Sequence, residues 1–300
     1  MWRCILHSIA LLVPTVAAYN DTEWILVPAV TRNELDAGAT TSSNATTNES
    51  INPFPAILGG TPAGTDEFQW FGRTDILYRD SFGNLFGVSC GASLIHGDFV
   101  VSASHCIVDI ARSGNPFSVT LNLGANRFDG SDGIALAVES VIYPTNYVFP
   151  FNDLVLYKLR GTTNVAPVPW NTNALTPLDG AIGTAIGFGL TSDDGAGSAI
   201  LLKVNLPAIT NSRCLQFYAA AFVPDSITCV YAERQGKDIC QGDSGGPIIS
   251  ANGVLYGVTS FSGETCGASP SGFTRTSYLS NFISSVSTCC YGLVQVKSML

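Results

Sequence analysis

Histidine is nearly missing from this 300-residue chain, with His7, His96 and His105 as the whole supply. Any imidazole chemistry must be built on one of those three positions, and a histidine-rich metal site is excluded. No C-x-x-C or H-x-x-x-H pair occurs, which excludes a zinc site of the usual spacing. Basic residues are also few: Lys and Arg number 14 against 23 Asp and Glu, for a formal net charge of −9. Phosphate backbones are held by concentrated Lys and Arg. No basic cluster exists here, so nucleic acid is excluded as a partner. Charged residues make up only 12% of the chain, and the acidic balance fits a soluble secreted protein.

Long apolar runs are lacking as well. Ile5 to Val16 is apolar but falls short of the roughly 20 residues that span a bilayer. With the basic Met1-Trp2-Arg3 end and the small residues Val16-Ala17-Ala18, residues 1–18 read as a signal peptide, removed on secretion. Residues 19–56 form a polar connector without cysteine or a sustained apolar period, expected to be glycosylated and largely unpacked. Asn20, Asn44 and Asn48 open its three N-glycosylation sequons. The expected location is extracellular, with no membrane contact after signal cleavage.

From Ile57 onward the chain is long enough for one all-β domain. Short β-branched and aromatic segments recur between turn clusters: Thr74–Tyr78, Phe99–Ser102, Val119–Leu123, Ile134–Ile142, Leu154–Leu159, Gly183–Phe188, Leu201–Leu206, Pro247–Ile249 and Val254–Ser260. That spacing predicts antiparallel sheets rather than alternating β and α units. A helical pattern is confined mainly to Tyr278–Val286, and no internal repeat occurs.

Three stretches carry chemistry. In Asp238-Ile239-Cys240-Gln241-Gly242-Asp243-Ser244-Gly245-Gly246-Pro247, Ser244 sits in a glycine-rich turn beside a cysteine and a carboxylate. A serine hydroxyl becomes a nucleophile when a neighbouring base takes its proton and N–H groups receive the oxyanion. His105 closes the apolar run Val101-Ser102-Ala103-Ser104-His105-Cys106, whereas His96 lies in a polar turn and reads as a solvated loop histidine. Asp153 enters an apolar strand in Phe151-Asn152-Asp153-Leu154-Val155-Leu156-Tyr157-Lys158-Leu159. Taken alone, a bare Gly-Asp-Ser-Gly around Ser244 reads equally well as an ordinary turn, and Asn152-Asp153 reads better as a turn before a strand. In the order His, Asp, Ser the three stretches resemble the catalytic motifs of the chymotrypsin/trypsin family of serine endopeptidases. The pocket motifs look most like invertebrate digestive trypsin-, chymotrypsin- and collagenase-like members.

The resemblance covers nearly all of residues 57–300, places the peptidase domain at 57–288, and implies two packed, six-stranded antiparallel β-barrels with a C-terminal α-helix. Residues 289–300 form a short extension. It implies His105, Asp153 and Ser244 as the triad, with Gly242 and Ser244 N–H groups as the oxyanion hole. Ser260 would support the buried Asp153 and begin the substrate-binding strand. Of nine cysteines, Cys4 falls in the leader, leaving eight, an oxidising-compartment count. The resemblance implies pairs Cys90–Cys106, Cys214–Cys229 and Cys240–Cys266; Cys289 and Cys290 are left unassigned.

Ile57-Leu58-Gly59-Gly60 resembles the start of the mature protease, so a zymogen is expected in which a freed Ile57 ammonium joins Asp243. The preceding residue departs from the family: Ala56, after Pro55, stands where most relatives carry Arg or Lys. An activating protease other than trypsin is implied. Asp238 matches the pocket-base carboxylate of trypsin-like members and predicts Arg or Lys before the cut. Against it, Ser271 occupies a glycine's place in Pro270-Ser271-Gly272-Phe273-Thr274-Arg275, and Ile239 replaces a small polar residue. Chymotrypsin- or collagenase-like specificity is the alternative, and a non-catalytic secreted homologue acting as a binding module is the rival. Protein or peptide substrates and protein protease inhibitors are the implied partners, without cofactor or metal. Asp129, Asp132 and Glu139 read as a solvated acidic face.

Overall fold

The computed structural model describes residues 24–37 and 57–287, apart from 116, 174–176, 191 and 193–194. The leader, the three sequons, residues 289–300 and Cys289 and Cys290 lie outside the described residues.

Strands in the N-terminal half are β1 (Trp24–Pro28), β2 (Thr61–Pro62), β3 (Phe71–Arg79), β4 (Leu85–His96), β5 (Phe99–Ser102), β6 (Phe117–Leu123), β7 (Ile134–Pro144) and β8 (Val155–Leu159). The C-terminal half adds β9 (Ile182–Gly187), β10 (Leu202–Ile209), β11 (Ile227–Val230), β12 (Pro247–Ser250), β13 (Leu255–Phe261) and β14 (Ser271–Arg275). Helices are short: α1 (Arg32–Ala37), α2 (Val108–Arg112), α3 (Asn211–Cys214) and α4 at residues 280–287.

Strands β3 to β8, without β1 and β2, close into a ring in the order β7-β6-β3-β4-β5-β8, with β8 returning to β7. A second ring runs β11-β14-β13-β12-β9-β10 and closes β10 on β11. All these pairs are antiparallel. Closure removes the sheet edges that would otherwise recruit other chains. Both rings are six-stranded barrels, each with one extra strand: β1 on β7 in the first, β2 on β10 in the second. Helix α4 starts two residues later than the expected Tyr278, after a turn.

Core side chains explain the closure. In β3 burial alternates over its middle, and β5 and β8 are buried on both faces, as expected of strands inside a closed barrel. Ile76, Leu94, Val100, Leu121, Ile142 and Leu156 are each fully buried in the first barrel. The second is filled by Ile57, Leu202, Leu206, Ile248 and Phe273, among others. The sequence pattern missed β4, where Gly87, Ser89, Gly91 and Ser93 dilute the β-branched signal. It also missed β11 and β14.

One expectation is corrected. Residues 24–37 are not unpacked: β1 pairs with β7 from Trp24↔Pro144 to Pro28↔Ser140, and α1 follows it. Ala29 and Leu35 are buried. The run Trp24-Ile25-Leu26-Val27 has no apolar period of its own, but it finds a barrel edge to pair with.

Candidate active site

Strand β5 ends at Ser102 and the chain enters a short 3-10 turn, Ser104–Cys106, that carries His105. Two ties fix this turn. Cys106 is bonded to Cys90 on β4, and Ser104 Oγ donates to the Leu154 carbonyl at 2.8 Å. Leu154 follows Asp153, so the hydroxyl draws the start of β8 up to the histidine turn.

Asp153 is fully buried and accepts three hydrogen bonds. Oδ1 takes the His105 backbone N–H at 2.8 Å. Oδ2 takes His105 Nδ1 at 2.7 Å and Ser260 Oγ, from β13 of the second barrel, at 2.6 Å. An ionised carboxylate only accepts, so Nδ1 carries a hydrogen toward it, and in the neutral imidazole Nε2 is then the nitrogen with the lone pair. The imidazole is one-quarter exposed and its ring meets Phe149 edge to face, 5.7 Å between centroids.

Ser244 comes from the second barrel. Its loop is folded by Asp243 N–H donating to Cys240 O, Gly245 N–H to Thr259 O and Gly246 N–H to Asp243 O. Gly91 on β4 donates to the Ser244 carbonyl at 2.7 Å, which places the loop one residue from the Cys90–Cys106 bridge under His105. Gly242 has φ 94°, a conformation that favours glycine. Among the described residues, the N–H groups of Gly242 and Ser244 have no protein acceptor, and Ser244 Oγ is not hydrogen-bonded to His105. Two N–H donors left without a protein acceptor on the serine's own loop are what an oxyanion needs.

Asp243 is buried at 1% exposure, its oxygens taken by Gly189 N–H at 2.8 Å and Cys240 N–H at 2.9 Å. Among the described residues no cation faces it, and burial pushes its carboxyl up to about 7. Ile57 is wholly buried in the second barrel, and the neighbouring Leu58 bridges Asp238. Ile57 has φ 59°. Left-handed backbone costs an L-residue about 1–2 kcal/mol, because Cβ crowds a carbonyl.

Asp238 is 3% exposed. Oδ1 accepts from Ile239 N–H at 2.8 Å and Ser271 Oγ at 2.7 Å, and Oδ2 from Gly267 N–H at 2.9 Å. Burial pushes this carboxyl up to about 6 despite those donors. Disulfide Cys240–Cys266 joins the two sides of this region, and Cys214–Cys229 ties α3 to β11. These are the pairs that the resemblance implied.

Beside His105 lies an open cleft of about 510 Å³ that Gln241, Ser260, Phe261 and Phe149 help to line. Phe149 was not singled out from the sequence. The signal was available: it lies in an apolar Val148-Phe149-Pro150-Phe151 run that cannot belong to the strand behind it. His96 is solvent-facing as read, with its side chain 45% exposed, but it belongs to a strand end and not to a loop. It ends β4 and meets Asp98 Oδ1 at 2.6 Å, while the other oxygen of that buried aspartate pairs with Lys158. Asp132 and Asp129 spend their oxygens on donors of their own loop, and Asp129 is held down at about 2, chiefly by Ser131. Cys90, His105 and Cys106 cluster as metal ligands would, but both sulfurs are in the disulfide.

Two six-stranded barrels joined across the hydrogen-bonded His105–Asp153–Ser260 cluster, with the Ser244 turn of the second barrel held to β4 of the first, define the class of the two-barrel serine endopeptidases. Comparison with known proteins agrees. The family model described as Trypsin matches residues 57–283. Trypsin-1 of Astacus astacus is 30% identical over 65% of this chain and 83% of its own length. A venom serine protease of Bombus ignitus, Bi-VSP, is 31% identical over 76% of this chain and 67% of its own. The solved structure of HL collagenase superposes with a TM-score of 0.66 at 27% identity, over 77% of this chain and 99% of that one. The chain belongs to the trypsin family, and its enzyme class is serine endopeptidase.

Proposed function

We infer that the protein is a secreted endopeptidase that cuts peptide bonds through Ser244, His105 and Asp153 and is synthesised as a zymogen. The observation that carries the mechanism is the hold of Asp153 on His105 Nδ1, which leaves Nε2 as the acceptor. Nε2 takes the Ser244 Oγ proton as Oγ bonds to the substrate carbonyl carbon. The carbonyl π-electrons move onto oxygen, where the N–H groups of Gly242 and Ser244 receive them. Losing one such donor costs about 3 kcal/mol of barrier. His105 then hands its proton to the amine as the C–N bond breaks, leaving an ester on Ser244. Water, deprotonated by Nε2, adds to the ester carbonyl; the Oγ–C bond then breaks, and Nε2 returns its proton to Ser244 Oγ as the acid leaves. Asp153 stabilises the imidazolium without taking its proton, and Ser260 keeps Asp153 in place.

Activation by a cut between Ala56 and Ile57 is supported by two features of the uncut chain. Ile57 is buried in a left-handed conformation, and cutting removes the carbonyl that makes it costly. Asp243 is buried with no cation facing it among the described residues, and the new ammonium would supply one. Ala56 calls for an activating protease that accepts small apolar residues. Three disulfides and the venom serine protease among the relatives support secretion.

For the residue before the cut, Asp238 is the reason to expect Arg or Lys. Its burial beneath Ser271 and its three internal donors favour the second reading, a neutral side chain in a shallow pocket. Ser244→Ala should abolish hydrolysis while leaving the melting temperature unchanged. Wild-type protein beginning at Ile57 should be labelled by a fluorophosphonate and should cleave Phe/Leu substrates faster than Arg/Lys ones. No labelling with Ile57 free would establish the binding-only rival, and full activity of Ser244→Ala would remove Ser244 from the mechanism.

A further inference from the structure

We propose that residues 24–37 stay on the first barrel as a non-covalent light chain after activation, a proposal that rests on the cut before Ile57. The segment carries no cysteine between Tyr19 and Ala56, so no disulfide can retain it. Its seat is built from other contacts. Strand β6 covers only the first part of β7, from Ile134 to Ala137. The remaining edge, Ser140 to Pro144, is taken by β1 at five successive positions. Without β1 that stretch of backbone would lose its partner on one side, and unpaired edge N–H and C=O groups invite foreign strands.

The ladder does not stop at Pro28. Ala29 N–H donates to Glu139 O at 2.9 Å and Val30 N–H to Phe117 O at 3.0 Å. Two arginines of the barrel then hold the segment by its carbonyls. Arg160, just past β8, donates to Ala29 O at 2.7 Å, and Arg79, at the end of β3, donates to Leu35 O at 3.1 Å. Contacts therefore come from four barrel strands or their ends, β3, β6, β7 and β8, and not from one neighbour.

Apolar burial adds to this. Trp24, Ile25, Leu26 and Val27 pack against the first core, Ala29 belongs to it, and Leu35 is 1% exposed. Helix α1 is held in shape locally: Thr31 N–H donates to Glu34 Oε2 at 2.6 Å and Glu34 N–H to Thr31 Oγ1 at 3.3 Å, a reciprocal cap. The cut falls well beyond Ala37, so it severs the covalent tie and none of these contacts. The seat also bears on the site, because β7 ends at Pro144 and leads directly into the loop that carries Phe149 and Asp153.

The test separates retention from natural activation. In the full chain carrying Ser244→Ala, residues 41–47 are replaced by the recognition sequence of a site-specific protease and cut there. The products are run on size exclusion under native conditions and weighed under denaturing ones. The N-terminal fragment should co-elute one to one with the barrel. Leu35→Asp should lower retention at least a hundredfold, and Arg79→Ala with Arg160→Ala about tenfold. A wild-type fragment that elutes alone overturns the proposal, as does a Leu35→Asp fragment held as tightly as wild type. Should Leu35→Asp fail to fold, the arginine pair decides in the same way. If secreted protein is never cut before Ile57, the activation reading fails while retention is still measured.

Discussion

The burial of Asp243 makes a quantitative demand on the cut before Ile57. In the uncut chain its carboxyl rises from an ordinary 3.8 to about 7, chiefly because burial penalises the charged form. A raised folded value favours folding fully below about pH 4. That contribution is lost as pH rises from about 4 to about 7. The displacement corresponds to about 4 kcal/mol at about 1.4 kcal/mol per pH unit. On the proposed activation, cutting would place an ammonium beside the carboxylate and should cancel most of the loss until the amine itself deprotonates. Asp238 is raised in the same direction, to about 6, but it is present in both forms and its slope cancels in the difference. The assay is thermal and urea unfolding of Ser244→Ala protein, cut and uncut, at half-unit steps from pH 4 to 8. The two forms should be close at pH 4 and diverge by about 4 kcal/mol at pH 7, on the order of 10 °C in melting temperature. Parallel curves across that range would refute the pairing of Ile57 with Asp243.

Ser271→Gly removes the hydroxyl from Asp238 Oδ1 and should raise kcat/KM for Arg/Lys substrates at least tenfold relative to Phe/Leu; an unchanged ratio in paired peptide assays would show that Ser271 does not set the pocket. Ser260→Ala takes one of three donors from the buried Asp153. At about 1–3 kcal/mol for such a loss, kcat should fall roughly ten- to a hundredfold with little change in KM. Gly189→Ala would put a methyl 2.5 Å from the Asp243 carboxyl carbon; urea unfolding should show a loss of about 2 kcal/mol or more.

Much of this molecule is written locally. The Ser244 loop, the histidine turn and the Asn152-Asp153 strand entry are contiguous motifs whose residue types fit the chemistry proposed for them, so a linear reading finds them. Strands β5 and β8 are similarly legible, since short buried runs of Val, Leu and Tyr have few other uses. Strand β4 was not, because its glycines and serines carry no strand signal; Gly91 among them leaves room for Gly246 of the second barrel.

The sequence alone determined the family, the all-β class, the candidate triad and, through the resemblance, the cysteine pairs. It could also place Asp238 and Ser271 near one another in a pocket. Only the tertiary structure decided that Ser271 Oγ lies on the Asp238 carboxylate, 33 residues away, rather than beside it. Only the tertiary structure decided that Trp24–Pro28 is a barrel strand, because its partner is Ser140–Pro144. A hydrogen bond across such a separation depends on where the intervening chain has been carried by closure of the barrel. Neither end of it is marked in its own neighbourhood of the sequence.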